Sequence, residues 1–272
     1  MRRALNPRPL APKDNSIARY EIKYVVDVRL MEPIREFVSL FCRPDPYGQG
    51  TPPLYTVQTL QFDNHLGTLY HGKEDKSPNR FKLRARTYVG RGQAPLFLEI
   101  KRKLGEVVVK SRAVFKLGWE DIEDLILGNK MSPLLREGNE FAFLEFRRLL
   151  QEIGAAPVYL LRYSRESYMS ENDMYARVTF DGNMLYQPTR RWSLEARENQ
   201  WRNMDSLTAM NRPYPSFILE LKTGENMPTW MSELIERYNL TRTDFCKYAT
   251  AVRLESLYHG TQYSDASDNC SH

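Results

Sequence analysis

The sequence predicts an α+β fold in which an antiparallel β-sheet forms a β-barrel tunnel with helices packed outside it. Three observations lead to this prediction. Short strand-like runs dominate the 272 residues, helical patterns separate these runs, and charged residues recur on one face of strand after strand. Because no long linker or internal repeat divides the chain, the elements are expected to form one domain.

The predicted strands alternate in character or are rich in β-branched and aromatic residues. They cover residues 20–26, 56–62, 81–88, 96–103, 107–115, 158–168, 176–181 and 217–222. Apolar residues at helical spacing predict helices over residues 28–41, 119–127, 140–153, 229–238 and 244–252. Asp27, Pro228 and Thr243 are the expected helix starts.

The two ends of the chain differ in composition from its middle. Residues 1–16 are basic and contain Pro7, Pro9 and Pro12, without the apolar segment of a signal peptide. We therefore expect a disordered lead-in over 1–16, a folded domain over 17–256 and a polar tail over 257–272. No apolar run approaches the roughly 20 residues that span a bilayer.

Cysteine and histidine usage argues against a zinc site or a disulfide framework. Cys42, Cys246 and Cys270 are scattered and odd in number, and the four histidines show no metal-ligand spacing. A reducing compartment is the simpler interpretation. We expect a soluble, cytoplasmic chain that does not itself span a membrane.

Charged residues stand two apart in most predicted strands, so that they share one face of the sheet. Arg84 and Arg86 point to one face, for example, while Leu83 and Ala85 point to the other. The same alternation groups Glu21 with Lys23, Glu99 with Lys101, Lys110 with Arg112, Tyr163 with Arg165, Arg177 with Thr179 and Asp181, and Glu220 with Lys222.

The charges counted on this face are unbalanced. Nine are basic and three (Glu21, Glu99 and Glu220) are acidic, and this excess of six is larger than the +5 net charge of the whole chain. A single strand with charged residues on one face usually lies in a half-buried sheet with that face in solvent. Seven such strands, with a positive excess, instead predict a curled sheet whose charged face points inward. Such an interior is tolerable when a polyanion and its metal, or water, fills it. Arginine suits phosphate oxygens, and a few glutamates suit Mg²⁺ or Mn²⁺.

A set of short stretches, in their order and approximate spacing, resembles a known family. They are residues 19–24 (RYEIKY), 44–47 (PDPY), 60–64 (LQFDN), 82–86 (KLRAR), 97–101 (FLEIK), 110–112 (KSR), 163–165 (YSR) and 218–222 (ILELK). Together they resemble the VTC domain, the polyphosphate polymerase domain of the vacuolar transporter chaperone family, which belongs with the CYTH domains to the triphosphate tunnel metalloenzymes. Arg19 stands where the CYTH signature begins with a glutamate, which favours the VTC branch.

The resemblance implies a role for each matching residue. The tunnel residues that grip phosphates would be Lys23, Arg84, Arg86, Lys101, Lys110, Arg165, Arg177 and Lys222, joined by Arg112. Glu220 would be the main ligand of Mn²⁺ or Mg²⁺, and Glu21 and Glu99 would orient water or the metal. Lys247 would lie on a C-terminal helix near the tunnel.

The implied function is that of a metal-dependent polyphosphate polymerase, which transfers the γ-phosphoryl group of ATP to inorganic polyphosphate and releases ADP. A tripolyphosphatase or nucleoside triphosphatase in the same tunnel is one alternative, with Glu21 or Glu99 orienting water. A non-catalytic polyphosphate-binding module is another, although a retained Glu220 argues against it. A membrane partner that receives the polymer stays open.

A single-stranded nucleic-acid barrel is the remaining alternative. Tyr20, Tyr24, Tyr88, Tyr163 and Trp192 could stack bases in it. No nucleic acid is expected, however, because sixteen tyrosines in a strand-rich chain are more often packing residues.

Overall fold

Eleven β-strands and seven α-helices make up the part of the chain that the computed structural model describes, which is residues 20–48, 50–90, 94–105, 107–116, 122–128, 132–173 and 176–259. The strands are β1 (Tyr20–Asp27), β2 (Cys42–Pro44), β3 (Leu54–Asp63), β4 (Asn79–Val89), β5 (Leu96–Leu104), β6 (Val107–Phe115), β7 (Ala156–Ser170), β8 (Arg177–Pro188), β9 (Arg202–Asn203), β10 (Ser216–Thr223) and β11 (Arg242–Thr243). The helices are α1 (Met31–Ser39), α2 (Thr68–Glu74), α3 (Ile122–Leu127), α4 (Glu140–Ile153), α5 (Leu207–Met210), α6 (Thr229–Arg237) and α7 (Lys247–Tyr258).

All eight predicted strands are confirmed, whereas β2, β9, β11, α2 and α5 were not predicted. The first predicted helix begins as a 3₁₀ turn over Val28–Leu30 and continues as α1, and Asp27 caps it by accepting a hydrogen bond from Arg29 N at 2.8 Å. Pro33 is tolerated because it lies in the first turn of α1, where backbone N–H groups have no helical partner. The start of the second predicted helix, at 119–121, lies outside the described residues, and α3 covers its remainder.

The last helix is shifted relative to its prediction. Residues Arg242–Thr243 pair with β1 as β11, so the backbone stays extended through Cys246, and α7 begins at Lys247 instead of Asp244. The helix then continues to Tyr258, past residue 256 where the folded domain was expected to end. The predicted lead-in over 1–16 and most of the predicted tail lie outside the described residues.

Every strand pairing in the sheet is antiparallel. The strand order is β11-β1-β10-β8-β7-β3-β4-β5-β6, with β2 added to β7 and β9 added to β8. Within the described ranges no ladder joins β6 to β1, so the predicted closed barrel is wrong, and the sheet is open. The outer edge of β1 is partly taken by β11 instead.

The open sheet is nevertheless strongly curled. Glu21 on β1 and Lys101 on β5 are separated by six strand steps, which would be about 29 Å on a flat sheet. Their Oε2 and Nζ atoms lie 2.5 Å apart. Strand twist, together with bulges at Gln61/Phe62 and Arg162/Ser164, accounts for this curvature. Side chains, rather than backbone hydrogen bonds, bridge the opening.

The convex side of the sheet carries the apolar half of each alternating strand. Helices α1 and α6 pack on one part of it, around Leu219, Leu221 and Phe217, and α3 and α4 pack on the other, around Leu83, Leu98 and other buried residues. Burial of these side chains is the main source of stability for such a layer. The helices therefore lie outside the curled sheet, and the charged residues are left on its concave side.

Helix α7 packs against the concave side. Phe245, just before the helix, together with Ala251 and Leu254 on the helix, covers an apolar area that includes Val57, Leu161 and Ile218. One half of the concave surface is thus part of the core, and the other half is charged. None of the helices in the described ranges is long and apolar enough to cross a membrane.

Candidate functional site

The charged half of the concave surface, which we call the basic face, gathers all the site residues that the sequence predicts. The pairing of adjacent strands places these residues opposite one another, in rows that run across the sheet, and α7 adds Lys247. Its cations are Lys23, Lys82, Arg84, Arg86, Lys101, Lys110, Arg112, Arg165, Arg177, Lys222 and Lys247, and its carboxylates are Glu21, Glu99, Asp181 and Glu220. By formal charge, these eleven Lys and Arg residues against four carboxylates give an excess of seven, which suits a polyanion.

Two members of the basic face were missed by the sequence-based prediction. Lys82 was left out, although it stands two residues before Arg84 and therefore shares its face. Asp181 was placed on the correct face but not counted among the acidic residues. With these two residues and Lys247 included, the predicted excess of six charges becomes seven.

Glu99 on β5 lies at the centre of four cations. Its Oε2 is 2.6 Å from Arg84 Nη2 and 3.8 Å from Arg86 Nη1, and its Oε1 is 2.5 Å from Lys110 Nζ and 2.9 Å from Arg112 Nη2. Burial alone would raise the pKa of Glu99, but Arg84, Arg86, Lys110 and Arg112 hold this pKa well below its usual value. The carboxylate is therefore ionised, and both of its oxygens are engaged.

Glu220 on β10 is also surrounded by cations, but at longer range. Lys222 Nζ is 3.2 Å from Oε2, Arg165 Nη2 is 3.7 Å from Oε2, and Lys23 Nζ is 3.8 Å from Oε1. Burial alone would raise the pKa of Glu220, but Lys222, Lys23 and Arg165 hold it well below its usual value. This buried carboxylate is ionised, and the cations around it lie farther away than the nearest cations around Glu99.

Asp181 on β8 ties α7 to the basic face. Arg165 Nε and Nη2 donate to its two oxygens at 2.6 Å each, and Lys247 Nζ lies 2.6 Å from Oδ2. Burial alone would raise the pKa of Asp181, but Arg165 and Lys247 lower it. Lys247 thus lies next to the basic face, where the family resemblance implied it.

Tyr163 on β7 connects the group around Glu99 to the group around Asp181. Arg86 Nη2 donates to its hydroxyl at 3.0 Å. Arg165 and Lys247 lie over its ring, with Lys247 Nζ 4.4 Å from the ring centre. Four cationic or aromatic side chains from β4, β7 and α7 therefore hold one another in place.

We expect the Tyr163 phenol to ionise with a pKa of about 8, because Arg86 and Arg165 outweigh the burial that alone would raise this pKa. An ordinary phenol has a pKa of about 10. The ionised form should therefore add stability that is fully present above about pH 10 and lost as the pH falls through about 8. Ultraviolet absorbance titration of the protein and of Tyr163→Phe measures this group, and identical titration curves below about pH 9 would contradict the assignment.

The segment that leads into α7 contacts the basic face through two lysines. Lys23 Nζ donates to the Phe245 carbonyl at 3.2 Å, and Lys82 Nζ donates to Cys246 Sγ at 2.8 Å. Burial alone would raise the pKa of the Cys246 thiol, but Lys82 and Lys23 lower it to about 6. Because Lys23 is on β1 and Lys82 is on β4, this segment crosses the concave side of the sheet between these two strands. No sequence pattern predicts such a contact.

The remaining predicted residues lie nearer the edge of the basic face. Lys101 pairs with Glu21 across the opening, as described above. Arg177 shares its row with Lys222 and donates to Met169 Sδ at 2.9 Å. Both cations remain partly exposed, so an incoming anion would meet them early.

Two of the four carboxylates of the basic face, Glu21 and Glu220, could hold a divalent metal together with phosphate and water. In the described part of the chain no group of three or more His, Cys, Asp or Glu residues is placed to hold a metal by itself. Glu21 and Glu220 are close enough to interact: burial raises the pKa of Glu21, Lys101 lowers it and Glu220 raises it, with a net decrease. Thr179 Oγ1, opposite Glu220 in the ladder, is buried without a hydrogen-bond partner. Mg²⁺ typically takes one or two carboxylates and completes its shell with phosphate and water.

The aromatic residues that could stack nucleic-acid bases are mostly packing residues. Tyr24 and Tyr163 are buried. The Trp192 ring lies 5.4 Å from that of Phe62. This arrangement does not present a row of exposed rings, which a single-stranded nucleic-acid platform requires.

Comparison with known proteins identifies one family and a number of distantly similar solved structures. A family model described as VTC domain matches residues 18–255. Similar solved structures include the PH1819 protein from Pyrococcus horikoshii OT3, with 13% identity and a TM-score of 0.41, over 87% of this chain and 99% of that one. A candidate adenylate cyclase from Bacillus halodurans has 10% identity and a TM-score of 0.44, over 84% of this chain and 94% of that one. No curated protein matches the chain.

Proposed function

The chain belongs to the VTC domain family, and on that premise we propose that it is a metal-dependent polyphosphate polymerase. It would transfer the γ-phosphoryl group of ATP to the end of a polyphosphate chain and release ADP. The observation that carries this proposal is the basic face, on which eleven cations and four carboxylates line the concave side of one sheet. Phosphoryl transfer depends on positioning and charge neutralisation, and this surface is suited to supply both.

Phosphate binding is assigned to the cations that lie above the carboxylates. Arg84, Arg86 and Arg112 present guanidinium groups, which bind phosphate oxygens through two parallel hydrogen bonds. Arg86 Nε is buried without a hydrogen-bond partner. These groups would stabilise the charge that spreads over the oxygens of the transferring phosphoryl group.

Glu220, with Glu21 beside it, would hold Mn²⁺ or Mg²⁺. The cations around Glu220 approach no closer than 3.2 Å, which leaves its oxygens available as ligands. When bound, the metal ion neutralises charge on the nucleotide phosphates. Lys23, Lys222 and Arg165 then keep Glu220 ionised and orient it towards the bound phosphates.

Transfer to phosphate is favoured over hydrolysis by the state of the two candidate water-orienting residues. Both oxygens of Glu99 are taken by cations, and Glu21 Oε2 is paired with Lys101. Glu99 is therefore not placed to act as a base towards water, and Glu21 keeps only one oxygen outside its pair with Lys101. A terminal phosphate oxygen is already ionised and needs no base, so it is the better acceptor at this site.

We expect the purified protein to convert ATP in the presence of Mn²⁺ into a ladder of polyphosphate chains with matching ADP. Products are resolved on a gel that separates polyphosphate by length, and a reaction with chelator in place of Mn²⁺ is the control. Free phosphate without chains would indicate a triphosphatase. Intact ATP together with tight polyphosphate binding would indicate a non-catalytic module.

A further inference from the structure

We propose that Glu99 is a positioning residue, which holds four cations in place against the wall of the basic face and contacts neither a metal nor a reacting atom. The inference rests on the proposed function in one respect, because the ligand of these cations is taken to be a polyphosphate. It also replaces the role that the family resemblance suggested for Glu99, the orienting of water or metal.

The first argument is that Glu99 has no acceptor site left. A carboxylate offers about four lone-pair sites. Oε2 accepts from Arg84 Nε at 2.7 Å and lies 2.6 Å from Arg84 Nη2. Oε1 accepts from Arg112 Nε at 3.0 Å and lies 2.5 Å from Lys110 Nζ. A metal ion or a water molecule would have to displace one of these cations.

The second argument is that Glu99 lies beneath its partners. Its side chain is 0% exposed, whereas those of Arg84, Lys110 and Arg112 are 25%, 32% and 38% exposed. An anion that approaches from the concave side therefore meets the cations before it meets the carboxylate. Glu220 differs from Glu99, because its nearest cation lies 3.2 Å away. The oxygens of Glu220 are therefore more available to a ligand than those of Glu99.

The third argument concerns where the cations come from. Register places Glu99 directly between Arg84 on β4 and Arg112 on β6. Arg and Lys side chains lose considerable conformational entropy when they are held in one geometry. Because Glu99 already holds these side chains, that entropy is lost on folding and not on ligand binding. Cations fixed in this way would stabilise the transition state of phosphoryl transfer. Cations released from Glu99 would instead move to bind the unreacted phosphate more tightly.

Glu99→Gln separates these roles, because it keeps the shape of the side chain and removes its charge. We expect the affinity for tripolyphosphate, measured by titration calorimetry, to increase roughly tenfold, since the local positive charge is no longer compensated. With ATP and Mn²⁺ we expect KM to fall and kcat to fall by on the order of tenfold or more, because the cations lose their positions. The Mn²⁺ concentration for half-maximal rate should stay unchanged.

Glu145→Gln is the matched control, because Glu145 is also a buried carboxylate that pairs with two arginines, Arg102 and Arg148, but on the convex side. It should lower the melting temperature without changing tripolyphosphate affinity or kcat. If Glu99→Gln does not fold, Glu99→Asp retains the charge but shortens the side chain. We expect Glu99→Asp to bind tripolyphosphate within about threefold of the unchanged protein and to turn over more slowly.

Three results would overturn the proposal. The first is weaker tripolyphosphate binding by folded Glu99→Gln, which would mean that Glu99 helps to hold the ligand. The second is a shift of the Mn²⁺ requirement in Glu99→Gln, which would make Glu99 a metal-orienting residue. The third is an unchanged kcat in Glu99→Asp. If the unchanged protein itself does not bind tripolyphosphate, the proposed function fails as well, and the two failures are thereby distinguished.

Discussion

Replacement of Glu220 by glutamine is expected to reduce turnover of ATP by on the order of 10²–10³-fold or more while the protein stays folded. Glutamine has nearly the same size and keeps an oxygen acceptor, but it cannot supply the negative charge that a divalent metal requires. Lys23, Lys222 and Arg165 would also lose their common counter-ion. Excess Mn²⁺ should not restore the rate, because the ligand itself is missing.

The measurement is steady-state turnover with ATP and Mn²⁺, accompanied by circular dichroism and thermal unfolding to establish that the variant is folded. Glu225→Gln is the matched control, since Glu225 lies just beyond the end of β10 and is exposed. Its rate should be unchanged. Turnover by folded Glu220→Gln within about threefold of the unchanged protein would remove Glu220 from the site.

Replacement of Arg165 by methionine is expected to lower the free energy of unfolding by about 3–5 kcal/mol, the usual effect of removing one partner of a buried ion pair. The Asp181 side chain is only 1% exposed, and it would keep Lys247 alone as its cation. The loss of stability arises mainly from the Asp181 carboxylate, which stays buried without its main partner. The variant should also lose turnover, since Arg165 lies on the basic face.

Urea unfolding at neutral pH measures this effect. Arg43→Met provides the same substitution at an ion pair whose two side chains are 70% and 65% exposed, and it should change the free energy of unfolding by less than about 1 kcal/mol. Arg165→Met combined with Asp181→Asn should recover part of the lost stability, because the uncompensated charge is removed. If Arg165→Met is no more destabilising than Arg43→Met, Asp181 and Arg165 do not form the buried pair described here.

Under the proposed function, the two groups of cations would have different chemical tasks. Around Glu99, four cations share one saturated carboxylate, which leaves a strongly positive surface for phosphate. Around Glu220, the carboxylate is open, and Glu21 lies nearby. A phosphate chain that spans both groups would be bound by arginine and lysine at one end and by a metal at the other. This division would align the γ-phosphoryl group between them.

The sequence by itself determined the strands and the side of each strand that carries charge. Alternation in Lys82–Arg86 or Glu99–Lys101 is a local property, since neighbouring side chains in a strand must point to opposite faces. The same reasoning applies to α4, whose predicted and observed limits agree because its apolar stripe and length are contained in one segment. Membership in the VTC domain family was also visible in the order of short motifs.

Only the tertiary structure decided how these faces meet. The sequence could not show that the ladder stays open between β6 and β1, because pairing between distant strands depends on the twist and bulges of the whole sheet. Nor could it show that Glu99 is saturated while Glu220 is open, because both residues occur in the same Glu-x-Lys pattern. The difference arises from their neighbours in space: β4 and β6 place three cations 2.5–2.9 Å from Glu99, whereas the cations around Glu220 lie 3.2, 3.7 and 3.8 Å from it.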